Sequence, residues 1–599
     1  MVIVSDYVFD FLIKKGVDTA FVVTGGQAMF INDAMARRPE IKPIFAHHEQ
    51  TCGMSADAYS RITKKLGLAV VTAGPGSINV VNGLVGGWTD SAPMMVISGQ
   101  SSYACVKYQE ESKIRQYGIQ GINIRPFVES GTKFFVTVED PSKIQYYMEK
   151  AYYFATTGRP GPVWIDVPLD IQRMEVPEKL LSHFHPEDEE QERTCTILER
   201  KSHVKEIVQE LESSIRPLLI AGQGVSLSGS QKELKELAER LHIPIITTRL
   251  GIDIIESDHN LYVGRPGNYG ERSANLAIQN SDCILVIGSR LSTASVGYNP
   301  DQFGKHAKIM VVDVDKKELD KPGVTIYKKV HDDAKGFLKE ILKNIDNSVM
   351  QDHSSWVSQC QSWKKNYPVV LEEYREETPI NSYYFIERLC QNTGSDAAIL
   401  VDTGSCFHVA CQAWKIKKGQ RFLTTGGLSS MGYWVAGIGA CVANDYKDTV
   451  VITGDGSLQM NIQEFATIKH NNLPVKVFIF NNNGYLLIRQ TQKTFMDNRL
   501  FGEGPETGVW CPDALKIAEA YGIKGIRIDS VDDMDAKIQE VLEHDGPVIC
   551  DVMTQEWQLI VPRVSSDKLP DGSLVSRKYE DMFPYLTEEE LKRNMVAED

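Results

Sequence analysis

The chain has 599 residues, 42 % of them hydrophobic, with Gly and Pro spread along it, a globular composition with apolar material for several cores at roughly 150 residues per domain. Its formal net charge of −15, with no basic run, argues against a nucleic-acid partner, and no apolar stretch approaches the ~18–20 residues that cross a bilayer. The 11 Cys are odd in number and form no C-x-x-C pair, which argues against a zinc site or a disulfide framework and for the reduced, cytoplasmic compartment.

The opening stretch, MVIVSDYVFDFLIKKG, carries acidic residues where a signal or transit peptide would not. It is predicted as a first helix with Ser5 or Asp6 near its N-cap. Apolar runs of strand length then alternate with helical patterns. TAFVVTGG (19–26), LAVVTAGPG (68–76) and PMMVISGQ (93–100) come first. After the acidic HPEDEEQERTC (185–195) follow PLLIAGQG (217–224), CILVIGSR (283–290) and KIMVVDVD (308–315). After NIDNSVMQDHSSW (344–356) come TVVITGDG (449–456) and VKVFIFNNN (475–483). Runs apolar on both faces between helices predict α/β domains with mainly parallel sheets covered on both sides. Ligands of such sheets bind beyond the carboxyl ends of the strands. The two polar stretches read as linkers. They divide the chain into an N-terminal domain (1–180), a central domain (195–345) and a C-terminal domain (370–555), followed by a tail (556–599). The Pro, Gly and Ser content of the tail predicts an ordered arm rather than a fourth domain.

The most specific stretch is GDGSLQMNIQEFATIKHNNLPVKVFIFNNNGY (454–485). It begins at one strand end, runs through a helix expected to start near Ser457, and finishes at the next strand end. If those strands are neighbours, Asp455 and Asn482 face one crevice. Mg²⁺ needs about six oxygens and takes some of them from phosphates and water. A carboxylate (Asp455), an amide oxygen (Asn482) and a backbone carbonyl (Gly484) leave places for a diphosphate. Gly454 and Gly456 let the backbone approach the phosphates, and the helix start aims N–H groups at them. The competing reading is an ordinary turn and an Asn-rich loop. A second constellation is IFAHHEQTCGMSADAYSRITKKLG (44–67), where a strand ends in His47, His48 and Glu49 before a helix of small residues. Alone, Glu49 reads as a helix N-terminal residue favoured by the dipole.

The first of these stretches closely resembles the thiamine diphosphate motif, G-D-G followed by N-N. The second resembles the H-E-Q-x-A…A-x-G-Y-A-R block of acetolactate-synthase-type enzymes, with Ala58 and Ser60 at the Gly and Ala positions. TAGPGSINVVNGLVGGWTDSAPMMVISGQ (72–100) and GRPGPVWIDVPLDIQ (158–172) match further blocks of that family in order. The resemblance implies that Glu49 is the carboxylate that hydrogen-bonds N1′ of the aminopyrimidine, with one of the two His near the site. In IRQYGIQGINI (114–124), Gln120 falls at the Gln of a segment lining the reaction site. Gly26 and Gln27, in TGGQAM, occupy the family's Gly-Gly loop. In VDTGSCFHVACQAW (401–414), Gly404 precedes Ser405 and Cys406, which stand where relatives carry diphosphate-contacting Gln and His. In GGLSSMGYWVAGIGA (426–440), Ser429 and Met431 fall in the loop whose Met bends the cofactor. Ser457 adds a cofactor contact. After the second metal ligand, GYLLIRQTQKTF (484–495) matches G-M-V-x-Q-W. It places Leu487 and Ile488 at the cofactor and Thr491 at the Trp that shapes the acceptor pocket.

The central domain is read more openly. Gly222, Gly224 and Gly229 follow a strand in a dinucleotide-like pattern, and Asp313 and Asp315 end a later strand. The family binds FAD here in some members and nothing catalytic in others. The R-F-D-D-R run of flavin-containing acetolactate synthases is missing from GSRLSTASVGYN (288–299), so FAD stays open and a purely structural domain is expected.

The resemblance implies thiamine-diphosphate- and Mg²⁺-dependent decarboxylation of a 2-oxo acid, with pyruvate as the first choice. The acyl unit then passes to an acceptor carbonyl. The active site lies between subunits, in a homodimer or homotetramer. The C-terminal arm, with DGSLVS and EDMFPYLTEEE, resembles enzymes encoded with surface-polysaccharide genes, which points to a keto-sugar nucleotide as acceptor. The alternatives are an acetolactate synthase catalytic subunit, a simple 2-oxo-acid decarboxylase, and a non-catalytic cofactor-binding subunit.

Overall fold

The computed structural model describes residues 1–189, 194–345 and 351–595. Parts of both predicted linkers lie outside the described residues. Three six-stranded sheets carry the molecule, and every pairing within them is parallel. The first holds β1 (Thr19–Val22), β2 (Lys42–Phe45), β3 (Gly67–Val71), β4 (Met94–Gln100), β5 (Phe134–Thr137) and β6 (Val163–Pro168), in the order 2-1-3-4-6-5. The second holds β7 (Pro217–Ala221), β8 (Ile245–Thr247), β9 (Tyr262–Gly264), β10 (Cys283–Ile287), β11 (Lys308–Asp313) and β12 (Lys328–His331), in the order 9-8-7-10-11-12. The third holds β13 (Ala398–Val401), β14 (Arg421–Thr424), β15 (Thr449–Gly454), β16 (Val475–Asn481), β17 (Lys524–Ile528) and β18 (Val548–Met553), in the order 14-13-15-16-18-17. The first and third sheets therefore share one topology. The central sheet has the dinucleotide-fold order instead, with its switch point between β7 and β10. The inner strands are Val- and Ile-rich and buried along all or nearly all of their length, as expected for parallel sheets with both faces covered.

The first helix, α1 (Val4–Lys14), starts earlier than the sequence suggested, with Ile3 rather than Ser5 or Asp6 at its N-cap. Val2 and Ile3 pair with Glu175–Val176, and the Val4 N–H donates to the Met174 carbonyl at 3.0 Å. A backbone acceptor thus satisfies the helix end and no polar cap is needed.

The first and third domains meet through α2 (Glu49–Thr63) and α4 (Ala436–Ala443); the third domain also holds α3 (Ser405–Ala413) and α5 (Glu464–His470). Their small residues let the backbones touch. A Cβ on Gly439 would stand 2.0 Å from the Ser55 carbonyl oxygen. One apolar core, including Phe21, Tyr59, Trp434 and Val451, runs through both domains. The tail forms a hairpin of Ser566–Lys568 with Leu574–Ser576 and a helix Glu588–Asn594. It lies on the central domain, where Arg272 donates to the Met582 and Pro584 carbonyls. All eleven cysteines are free. Among the described residues no helix is long and apolar enough to cross a membrane.

Candidate active site

β15 and β16 are neighbours, with Gly454 opposite Phe480, so Asp455 and Asn482 leave adjacent strand ends into one crevice. Asp455 is buried. Its Oδ1 accepts from the Gly456 N–H at 2.8 Å and its Oδ2 from the Gly484 N–H at 2.9 Å. Burial outweighs those hydrogen bonds and pushes its carboxyl up to about 6. Asn482 is buried too. Its amide N–H donates to Ser405 Oγ at 3.4 Å, while its Oδ1 accepts no hydrogen bond. A buried acceptor without a partner costs about 1–3 kcal/mol. An acidic carboxyl and an orphaned amide oxygen at one crevice are what a hard cation satisfies. Among the described residues no three His, Cys, Asp or Glu side chains gather as a metal cluster. The donor set is therefore poor in charge and fits Mg²⁺, which takes its remaining oxygens from phosphate and water.

Space for that phosphate lies beside it. A Cβ on Gly454 or on Gly404, which has φ +96°, would meet nothing within 4 Å. Gly404 caps α3, so the N-terminus of this nine-residue helix opens next to Asn482 through Ser405. The helix expected to start near Ser457 begins at Asp455 but is short, Asp455–Leu458, and the longer α5 follows at Glu464. Gly456 also differs from expectation. A Cβ there would stand 2.2 Å from the Tyr485 ring, so its missing side chain makes room for that ring. Cys406 and Ser457 turn inward. The Cys406 thiol donates to the Thr403 carbonyl at 3.1 Å, and burial holds its pKa well above the usual range.

The group that organises this end is Asp402, which the sequence reading passed over. It is fully buried and accepts four hydrogen bonds, from the Thr403 N–H (2.7 Å), the Tyr433 N–H (3.1 Å), Thr453 Oγ (2.9 Å) and Ser457 Oγ (2.5 Å). Burial pushes its pKa up and these donors oppose that. Ser457 Oγ in turn accepts from the Gly432 N–H at 2.8 Å. One carboxylate thereby joins the strand end before Gly404, the G-D-G turn and the loop carrying Ser429 and Met431. Met431 is half-buried, and Ser429 is exposed with φ +54°. The same loop is held from the first domain, where Asp90 accepts from the Gly426 and Gly427 N–H groups at 2.8 and 2.7 Å. Arg61 stands between Asp57 and Asp90 at 3.5 and 3.6 Å, and the Tyr433 hydroxyl bonds Asp57.

The second cluster surrounds Glu49, the buried first residue of α2. His48 caps that helix, its Nδ1 accepting from the Gln50 N–H at 3.2 Å. Glu49 Oε2 accepts from Asn79 Nδ2 at 2.9 Å, and Oε1 would lie 3.2 Å from a Cβ on Gly76. Asn79 and Gly76 belong to the quoted T-A-G-P-G-S-I-N block, so that block was legible while its contact with Glu49 was not. Gln120 is exposed with φ +56°, and its backbone packs against Gly74 of the same block. A Cβ on Gly26 would meet open space, and Gln27 is buried with its carbonyl accepting from Gln172 at 2.7 Å. His47 contacts the third domain, its N–H donating to Glu464 at 3.1 Å and its ring meeting Thr467 Oγ at 3.0 Å. Among the described residues no hydrogen bond or ion pair joins Glu49 to Asp455 or Asn482 within the chain.

In the helix after the second cluster of Asn, α6 (Leu486–Phe495), Leu487 is half-buried and Ile488 and Thr491 are exposed. The central domain holds a cavity of about 400 Å³ at the ends of β7, β10 and β11, lined by Arg249, Arg290 and Asp313 and by Arg159 of the first domain. Gly222 and Gly224 are required there by backbone contact, since Cβ atoms on them would stand 2.2 and 2.7 Å from Gly288. Asp315 pairs with Arg159 at 2.9 Å.

Comparison with known proteins agrees with this geometry. Three family models match in order: the N-terminal TPP binding domain of thiamine pyrophosphate enzymes at residues 3–123, their central domain at 204–341, and their C-terminal TPP binding domain at 402–552. The chain is 31 % identical to an acetolactate synthase large subunit of Cyanidium caldarium, over 94 % of this chain and 95 % of that protein. It is 30 % identical to that of Lactococcus lactis, over 94 % of each. It is 32 % identical to the chloroplastic acetolactate synthase of Arabidopsis thaliana, over 94 % of this chain and 83 % of that one. With two like-ordered sheets that end in glycine turns, and with these matches along nearly its whole length, the chain belongs to the thiamine pyrophosphate enzymes as an acetolactate-synthase-like enzyme of the carboligase and lyase type.

Proposed function

We propose that the enzyme decarboxylates a 2-oxo acid, pyruvate first among them, and passes the acyl unit to an acceptor bulkier and more hydroxylated than a second pyruvate, such as a keto-sugar nucleotide in polysaccharide biosynthesis. The observation that carries this reading is Thr491, at the position where the acetolactate synthase pattern has Trp. Its side chain is exposed on α6 beside Ile488, which is 46 % exposed. Its Oγ donates to the Leu487 carbonyl at 2.9 Å, so it offers lone pairs rather than a free proton. A small side chain there leaves the room an indole would fill.

Thiamine diphosphate, when bound, supplies the electron sink for decarboxylation. In this reading Asp455, Asn482 Oδ1 and the Gly484 carbonyl hold Mg²⁺, and the α3 N-terminus at Gly404 and Ser405 meets the diphosphate charge. Met431 supports the bent cofactor. Glu49, oriented by Asn79, holds a proton at N1′ of the aminopyrimidine, and Gln120 and Gln27 line the substrate side. Glu49 of one copy meets Asp455 of another in a homodimer or homotetramer. The likeness to acetolactate synthase large subunits supports that arrangement. The central domain carries no stoichiometric flavin in this reading, on the strength of the missing R-F-D-D-R run and the commitment of Asp315 to Arg159. A flavin absorbance spectrum of the purified protein contradicts that part.

The second reading is an acetolactate synthase catalytic subunit, favoured by relatives that bear that name at 30–32 % identity over most of the chain. Competition separates the two. Pyruvate is supplied alone and then with candidate keto-sugar nucleotides, and products are read by mass spectrometry. A branched-sugar product supports the first reading, and rapid acetolactate formation that no sugar diverts overturns it. Thr491→Trp is expected to narrow the acceptor range while leaving carbon dioxide release from pyruvate intact.

A further inference from the structure

We infer that Arg489, locked by Glu503, is the positioning residue of the metal-ligand loop, a role that rests on the reading of Asp455, Asn482 and Gly484 as Mg²⁺ ligands. Both side chains are almost fully buried, and they meet Nε to Oε2 at 2.5 Å. A buried ion pair is costly to desolvate unless its remaining donors and acceptors are filled. Here they are filled by the loop itself. Arg489 Nη1 donates to the Asn482 carbonyl at 3.2 Å and to the Glu556 carbonyl at 2.7 Å, and Nη2 donates to the Asn483 carbonyl at 2.8 Å. The Trp557 ring lies 5.4 Å from the guanidinium.

The direction of these bonds is what matters. The carbonyls of Asn482 and Asn483 are drawn to the guanidinium, while the Asn482 Oδ1 stays buried and without a partner. The loop is fixed on its far side as well. The Tyr485 N–H donates to the Glu503 carbonyl at 2.7 Å, and a Cβ on Gly484, at φ +127°, would stand 2.1 Å from that same oxygen. Glu503 is itself held, since Thr507 Oγ meets its N–H at 2.9 Å and its Oε1 at 3.3 Å. Only a planar fork with five donors reaches carboxylate and carbonyls together; an ammonium is a point charge and does not. Groups that orient metal ligands in this way commonly carry about 10–100-fold of metal affinity.

The test is calorimetric titration of thiamine diphosphate into the full-length protein across a Mg²⁺ series, with melting of the cofactor-free protein measured alongside. Arg489→Lys and Arg489→Met are expected to raise the Mg²⁺ concentration for half-maximal binding by about ten-fold or more, and Glu503→Gln by a smaller factor. A purely structural role would lower the melting temperature and leave the Mg²⁺ requirement in place, and that result overturns the inference. If neither Arg489 variant folds, Glu503→Gln carries the test, and an unchanged Mg²⁺ requirement in it is equally adverse. Asp455→Ala run in parallel separates the two levels. Lost binding in Asp455→Ala with normal Mg²⁺ dependence in Arg489→Lys removes the clamp alone. Unchanged binding in Asp455→Ala removes the metal reading and the clamp with it.

Discussion

At the scale of single residues, the proposed metal site rests on two buried polar side chains at adjacent strand ends. Asn482 Oδ1 is buried without a partner, and burial holds the Asp455 carboxyl up near 6. If Asp455 is the anionic Mg²⁺ ligand as proposed, Asp455→Ala removes it while the diphosphate charge remains, so Mg²⁺-dependent cofactor binding is expected to fall by at least about 100-fold, with Asn482→Ala milder at about ten-fold. Calorimetry at limiting Mg²⁺ measures both, and unchanged affinity in Asp455→Ala contradicts the assignment. The strand-end positions of both were legible in the sequence because each follows a continuous Val- and Ile-rich run, where an open parallel sheet places its ligands. Asp402 and Asn79 were not. Asp402 acts through backbone N–H groups and hydroxyls from three separate segments, and no residue spacing encodes such a meeting. The inward turn of Cys406 and Ser457 was hidden for the same reason, since it follows from where Asp402 and the Thr403 carbonyl sit.

At the scale of elements, strand and helix patterns were readable and their ends less so. The runs after 217, 283, 308, 449 and 475 are strands, because long stretches apolar on both faces have no other stable place than a covered sheet. The start of α1 was misplaced because a paired strand and the Met174 carbonyl do the work of a capping side chain. The helix that begins at Asp455 ends at Leu458, and a turn separates it from α5 because Asn461, at φ +74°, breaks the helix. The contact between α2 and α4 makes a sharp prediction. Replacing Gly by Ala inside a helix normally gains up to ~1 kcal/mol from propensity. At Gly439 the added Cβ meets a backbone oxygen at 2.0 Å, which no rotamer change relieves. Overpacking costs about 1–3 kcal/mol, so Gly439→Ala is expected to lower the melting temperature, and Gly439→Val more so. A melting temperature equal to or above that of the unaltered protein in Gly439→Ala would show that the helices can separate freely.

At the scale of the whole molecule, the shared strand order of the first and third sheets places two like domains around one core, with the central domain and tail as a brace. Two of the sequence blocks that resemble the family lie where the first and third domains touch. Asp90 of the first domain caps the loop of Met431, and Arg61 of α2 reaches the Thr424 carbonyl at 3.0 Å. Among the described residues no hydrogen bond or ion pair joins Glu49 to Asp455, and a complete site is proposed to need two copies. Mixing Glu49→Gln with Asp455→Ala protein after dissociation and reassembly is then expected to restore about a quarter of the activity, since half the dimers are mixed and one of their two sites is intact. No recovery would place both residues of a site on one chain. The central claim is that Glu49 activates the cofactor by holding a proton at the aminopyrimidine. It is tested most directly by deuterium exchange at C2 of thiamine diphosphate bound to the assembled enzyme with Mg²⁺. Glu49→Gln should bind the cofactor within a few-fold of normal and slow that exchange by about 10²–10⁴, whereas exchange at a near-normal rate in this variant would contradict the account.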